Sequence, residues 1–208
     1  MGTTLFARLC SAPRLARRAL SFGLAAGVAG ALAACGDNNN FLSPATSENA
    51  IRSYSIWAIT GTSAALPAAV QFSAQTTERP QILANGSVNF EVAFDITSDG
   101  KVRFMPARSF VPQPPAGAPT VGLTKSTSAF SAVSRAPDRG YTDDSTLVVS
   151  TNEVVLVRLS SSGCIYGEPY YGKAIVDSVI AAERRIVLRA LINRNCGYRA
   201  LSEGLPSN

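Results

Sequence analysis

Carboxylates are the main route to acid–base chemistry left to this chain, because its 208 residues include no histidine. That absence removes Ser-His-Asp and Cys-His nucleophilic catalysis, which need an imidazole to carry the proton. It also removes most catalytic zinc sites. Glu91 and Asp95 lie four residues apart in the alternating run Ser87 to Thr97. On a strand their Cα atoms would be ~13 Å apart, at ~3.3 Å per residue. That is too far to share a proton and wider than the usual separation in glycosidases. They read instead as the solvated face of a sheet. Asp138, Asp143 and Asp144 could offer oxygen ligands to Ca²⁺, but their spacing is not that of an EF-hand loop, and a turn with solvated acids is the simpler reading. A Ser-Lys dyad has Lys101, Lys125 and Lys173 to draw on, yet Lys125-Ser126 and Ser128 sit in a Ser/Thr-rich stretch without a nucleophile signature. Gly117 to Gly122 is interrupted by proline and lacks the lysine and helix of a phosphate-binding loop. The expectation is no catalytic residue, no metal site and no cofactor.

The amino terminus carries a different kind of chemistry. Arg8, Arg14, Arg17 and Arg18 precede an apolar run from Ala19 to Ala34, softened by Gly23, Gly27 and Gly30. Positive charge, then a short apolar stretch, then small residues is the order of a secretory signal. The run is shorter than the ~20 apolar residues of a spanning helix. It closes on Leu32-Ala33-Ala34-Cys35, which resembles the lipobox of bacterial lipoproteins. The resemblance implies export, diacylglyceryl transfer to the Cys35 sulfur, cleavage before Cys35 and acylation of the new amino terminus. The alternatives are an uncleaved anchor and an ordinary secretory signal with a chance cysteine. It divides the chain into a signal peptide (1–34), a lipidated terminus with a flexible tether (35–50) and one domain (51–208). Gly36 after the cysteine is not the inner-membrane retention signal that Asp gives there, so the outer membrane is slightly preferred over the inner. In either case the domain faces the periplasm or the exterior.

Once the signal is set aside, little net charge remains. Four of the 19 Lys and Arg, and none of the 14 Asp and Glu, precede Cys35, which leaves 15 against 14. No basic face survives for nucleic acid. Of the four cysteines, Cys10 lies in the signal and Cys35 is the lipidation site. Cys164 and Cys196 remain, in a compartment where disulfides persist. They are expected to pair, the alternative being two buried free thiols.

Period-two patterns then set the fold class. Val88, Phe90, Val92, Phe94 and Ile96 face one way in a half-buried antiparallel strand. Ser98-Asp99-Gly100 turns the chain into a return strand with Val102 and Phe104, which Pro106 ends. Further strands are expected at Tyr54 to Thr60 and Val70 to Ala74. A second hairpin is expected from Ser145–Val149 and Glu153–Leu159, and a third from Ala174–Ile180 and Arg185–Ile192. A helix over Ile175 to Leu191 competes with the third. Val111 to Thr120, with four prolines, is an extended loop. The result is an all-β chain, a single antiparallel β-sandwich of immunoglobulin-like or transthyretin-like topology. Asn193-Arg194-Asn195-Cys196-Gly197 resembles a stretch near the end of uncharacterised bacterial lipoproteins with β-rich domains, and implies no activity.

The segment Tyr166-Gly167-Glu168-Pro169-Tyr170-Tyr171-Gly172 is the most suggestive binding surface in the sequence after Cys35. Tyrosines give large contact area at low entropic cost. Tyr166, Tyr170 and Tyr171 could meet an envelope protein or a glycan, or could simply cap the sandwich edge. The expected protein is therefore a lipid-anchored, non-enzymatic binding or structural module of the cell envelope. A carboxylate-based hydrolase of envelope glycans is the alternative.

Overall fold

The computed structural model describes residues 42–111, 113–116, 118–160 and 163–207. Cys35, the segment before it and residues 36–41 lie outside the described residues. The strands are β1 (Ile51–Trp57), β2 (Ala69–Gln71), β3 (Thr76–Glu78), β4 (Val92–Ile96), β5 (Val102–Pro106), β6 (Val121–Ser126), β7 (Thr142–Asp143), β8 (Leu147–Val149), β9 (Val154–Leu159), β10 (Tyr170–Ile180) and β11 (Arg185–Asn193). They form a six-stranded sheet, β1-β11-β10-β9-β6-β7, and a five-stranded sheet, β3-β2-β4-β5-β8. Every pairing is antiparallel. The chain is an all-β sandwich. Among the described residues no helix is long and apolar enough to cross a membrane.

The core lies between the two sheets. Ile56, Leu123, Val157, Leu159, Val176, Ile186 and Leu188 come from one, and Val70, Phe72, Val92, Phe94, Val102 and Phe104 from the other. Phe94 and Phe104 meet edge to face at 4.8 Å, as do Tyr54 and Phe72 across the sheets at 6.1 Å. The expected β4–β5 hairpin is present: Ile96 pairs with Val102 and Phe94 with Phe104. Its turn is closed by the Thr97 N–H on the Lys101 carbonyl, 2.9 Å, with Gly100 at φ 80°. Glycine reaches that backbone region without a Cβ clash.

Three expectations are corrected. First, Ser145–Val149 and Glu153–Leu159 do not form a hairpin: β8 pairs with β5 in one sheet, and β9 pairs with β6 and β10 in the other. Residues 150–153 cross between the sheets. Glu153 accepts the Ser150 N–H at 2.6 Å, and the Asn152 N–H reaches the Val176 carbonyl of the six-stranded sheet that β9 then joins. Second, Val88 and Phe90 do not continue the inward face of β4. The chain bends at Glu91, and Phe90 packs with Ala93, Met105 and Ala107 on the outer side of the five-stranded sheet. Third, residues 46–49 belong to the domain rather than to a tether. Asn195 Oδ1 accepts the Thr46 and Ser47 N–H groups at 2.8 and 3.0 Å. Asn49 is buried and donates to the Ala200 and Ser202 carbonyls, both at 3.0 Å.

Ile175 to Leu191 is two strands, not a helix. It reads as continuously apolar because both faces of the six-stranded sheet are covered. Ala174, Val176, Ile186 and Leu188 fill the main core, while Tyr171, Ile175 and Leu191 pack under Phe130, Val133 and Leu201. Lys173 belongs to this outer face. It is buried, donates to the Phe130 and Val133 carbonyls at 2.9 and 2.8 Å, and lies 4.7 Å from the Phe130 ring centre. Burial lowers its pKa. Its role is to hold the covering loop to β10.

The two ends of the sandwich differ. At one, Arg184 in the β10–β11 turn reaches across to the five-stranded sheet. Its guanidinium donates to the Thr60 carbonyl at 2.6 Å, to Asp95 Oδ1 at 3.2 Å and to the Ile96 carbonyl at 3.2 Å. Asp95 also accepts the Thr60 hydroxyl at 2.9 Å and is nine-tenths buried. We expect Asp95→Ala to destabilise the fold by about 2–3 kcal/mol, since it strands a guanidinium and a hydroxyl without their acceptor. Chemical denaturation checks this, and an unchanged midpoint would mean that the clamp is idle.

Candidate functional site

The other end of the sandwich gathers the chain's remaining chemistry. There β1, β6 and β10 begin while β9 and β11 finish, as their antiparallel registers require. A cleft of about 480 Å³ opens there, lined by Gln71, Ser73, Phe90, Glu91, Arg108, Thr120 and Ser160, among others. A second, of about 280 Å³, adjoins it through Thr120 and Ser160 and runs past Arg158 and Asp143 to Gly167 and Pro169. Together they make one groove.

Glu91 is the titratable group with the strongest claim to function in it. The bend at position 91 turns its side chain off the strand ladder, while its backbone still bonds Val70 and Ala107. Bends and bulges beside a sheet commonly re-aim a side chain in this way. The carboxylate accepts the Ser73 N–H at 3.0 Å and is only 4 % exposed. Burial pushes its pKa above the usual carboxylate value, and the hydrogen bonds from Ser73 partly offset the rise. A buried acid with a shifted pKa in a cleft is a mark of functional sites. Among the described residues no second carboxylate lines this cleft, and Asp143 of the adjoining one is held by Arg158. Asp95, the sequence's proposed neighbour of Glu91, serves the Arg184 clamp at the far end.

The arginines at the groove are structural hooks. Arg108 donates to the Ala118 and Pro119 carbonyls at 2.8 and 3.3 Å, fixing the loop that forms one wall. Arg158 holds both Asp143 oxygens at 2.8 Å and lies 5.1 Å from the Tyr141 ring centre. That pair sits over Gly122, where a Cβ would come within 2.5 Å of Asp143 Oδ1. Only glycine allows the approach.

The sequence-derived candidates fare unevenly. Cys164 and Cys196 form a disulfide, with Cα atoms 5.6 Å apart. Cys35 lies outside the described residues. Tyr166, Tyr170 and Tyr171 do not form a common surface. Alternation on β10 sends Tyr170 toward the main core and Tyr171 into the outer cluster against Tyr141, where it is 5 % exposed. Tyr166 alone is open to solvent, at 79 %. The three aspartates do not converge either. Asp138 is 3.5 Å from Arg199, Asp143 is held by Arg158, and Asp144 accepts the Val121 N–H and lies 3.7 Å from Arg108. Among the described residues no three His, Cys, Asp or Glu are grouped to hold a metal ion.

Ser73, Arg108, Thr120 and Ser160 were not singled out by the sequence. They come from four separate segments and share no spacing. Only the fold brings them to one groove. Comparison with protein-family models, with curated proteins and with solved structures gives no match.

A folded-state pKa above 4.5 means that protonated Glu91 favours the native chain. This contribution is present below pH ~4.5 and is lost as pH rises through the folded value. At neutral pH the buried carboxylate therefore weakens the fold. Glu91→Gln, which keeps an acceptor for Ser73, should stabilise the protein at pH 7 by about 1–2 kcal/mol, the usual scale for a buried polar group. The two proteins should converge near pH 4. Denaturation curves at both pH values decide it, and equal midpoints at pH 7 would contradict the burial argument.

Proposed function

We propose that the protein is a lipid-anchored lipoprotein of the cell envelope, and that its sandwich is a non-enzymatic module that binds envelope glycan in the groove beside Glu91. The observation that carries this reading is the closeness of three features. The Leu32-Ala33-Ala34-Cys35 motif ends seven residues before Leu42, the folded domain is held from Thr46 onward, and a disulfide closes the same end. A disulfide accords with an exported protein. A groove lined by hydroxyls, an amide and the buried Glu91, with Phe90 in its wall and Asp143 held by Arg158 further along, suits the alternating hydroxyl and C–H faces of a sugar. A glycosidase of the common kind would need a second acid placed beside Glu91.

Two experiments test the two halves. Mass spectrometry of protein extracted from bacterial membranes should find an acylated peptide beginning at Cys35, and Cys35→Ser should leave unprocessed, unlabelled precursor. A free thiol at position 35 in the native protein would overturn the anchor. Soluble envelope-glycan fragments should shift the amide resonances of Ser73, Thr120 and Ser160. Glu91→Ala should weaken that binding by about tenfold, equivalent to ~1.4 kcal/mol and within the range for one hydrogen bond. Unmoved resonances would remove the groove from the proposal.

A further inference from the structure

The most exposed large apolar side chains of the described domain are neighbours. Ile165 is 87 % exposed and Tyr166 is 79 % exposed. They occupy the tip of a tight turn in which the Gly167 N–H returns to the Cys164 carbonyl at 3.1 Å, with Gly167 at φ 75°. The turn is held on both sides. Cys164 is bonded to Cys196, and Pro169 accepts the Gly197 N–H at 3.1 Å. An apolar pair on a cross-linked turn loses little entropy when it is buried against something else.

The packing of Leu42 and Ser43 says what that something is. Leu42 packs over Gly197, where an added Cβ would lie 2.7 Å from its Cδ2. Leu42 and Ser43 share a crevice with Ile165, Tyr166 and Cys196. Six residues lie between Cys35 and Leu42, seven Cα steps and a contour of at most about 25 Å. On the lipoprotein reading above, the acyl chains leave the domain beside this turn and no further from it than that contour allows.

We infer that Ile165 and Tyr166 are a second membrane contact, a turn that seats in the headgroup region of the bilayer to which Cys35 is anchored. Tyrosine, with an apolar ring and a polar tip, is enriched at that depth. An aliphatic neighbour adds apolar area, and such elements bury roughly 5–10 Å into the headgroup–acyl boundary. The contact orients the domain: the turn and the groove face the membrane, and the Arg184–Asp95 end points away.

The inference rests on the lipid anchor, and the experiment separates the two. Trp57 is the sole tryptophan and lies at the carboxy end of β1, on the far end of the sandwich. Full-length processed protein is reconstituted in phosphatidylethanolamine–phosphatidylglycerol vesicles whose acyl chains are brominated near the headgroup. Native Trp57 emission should be unaffected. In the Trp57→Phe, Tyr166→Trp protein the emission should shift to the blue and fall about twofold or more, as for an indole at interfacial depth. Protein that floats with the vesicles while this introduced indole remains unquenched overturns the contact and leaves the anchor intact. A blue shift without quenching would mean that the turn is covered by protein, which also overturns it. Quenching of native Trp57 would mean the opposite orientation. Protein that does not float at all overturns the anchor and the contact together.

Discussion

Asn195 holds the groove end of this molecule together. One of its amide atoms accepts two backbone N–H groups of the incoming chain, at Thr46 and Ser47, and the other donates to the Ser47 carbonyl and to Asn193 Oδ1, both at 2.8 Å. Asn193, fully buried, passes the connection to the Ala200 carbonyl at 2.9 Å. Asn49 grips the same carbonyl from the amino-terminal side. Buried amides of this kind are strongly held when partnered and expensive to leave unpartnered. The network therefore fixes where the chain enters, where β11 ends and how Cys196 is presented to Cys164. The groove and the exposed turn both inherit their positions from it. The Asn-x-Asn-Cys-Gly stretch thus has a physical reading: two asparagines clamp the amino-terminal segment, the cysteine staples the turn, and Gly197 at φ 76° makes room for Leu42.

The opposite end relies on charge instead. Arg184 adopts φ 48°, a backbone region unfavourable for a side chain with a Cβ, yet its guanidinium joins Thr60, Asp95 and Ile96. A glycine there would relax the backbone and lose the bridge between the sheets. The two acids of the β4 region are consequently divided by role. Asp95 closes one end of the sandwich, and Glu91 lies buried in the groove at the other. Their sequence spacing alone suggested a single solvated face. The bend at Glu91 and the cover over the outer side of β4 make both of them buried.

What the sequence disclosed follows from how far each signal reaches. The β4–β5 hairpin was legible because alternation and an Asp-Gly turn are local. The strand pair β10–β11 and the Cys164–Cys196 bond were legible with help from apolar clustering and from the compartment implied by the amino terminus. The crossing at 150–153 was not, because Ser-Thr-Asn between two strands looks the same whether it reverses within a sheet or passes between sheets. Only the partners of β8 and β9 distinguish the two, and those are Val102, Phe104 and the strands β6 and β10, remote in sequence. The short strands β3 and β7 and the polar strand β6 carry little periodicity of their own. Lys173 illustrates the same limit: a lysine in an apolar strand is read as an exposed charge unless the loop that covers it, Phe130 to Val133, is already in place. The groove was least legible, since no two of its polar segments are adjacent in the chain.

A groove, a cross-linked apolar turn and the incoming chain all share one end of the sandwich, and this arrangement constrains any role. If Cys35 carries lipid, a spacer of six residues cannot lift the groove far from the bilayer, and a ligand in solution would have to approach from the side. A ligand that is itself part of the surface would not. Tethering then acts through effective concentration: short linkers hold a module at roughly millimolar levels relative to sites on the same surface. Weak polar contacts such as those offered by Ser73, Thr120 and Ser160 become sufficient under that condition. A strongly charged pocket would be unnecessary, and the arginines of the groove are engaged with the protein's own carbonyls and carboxylates.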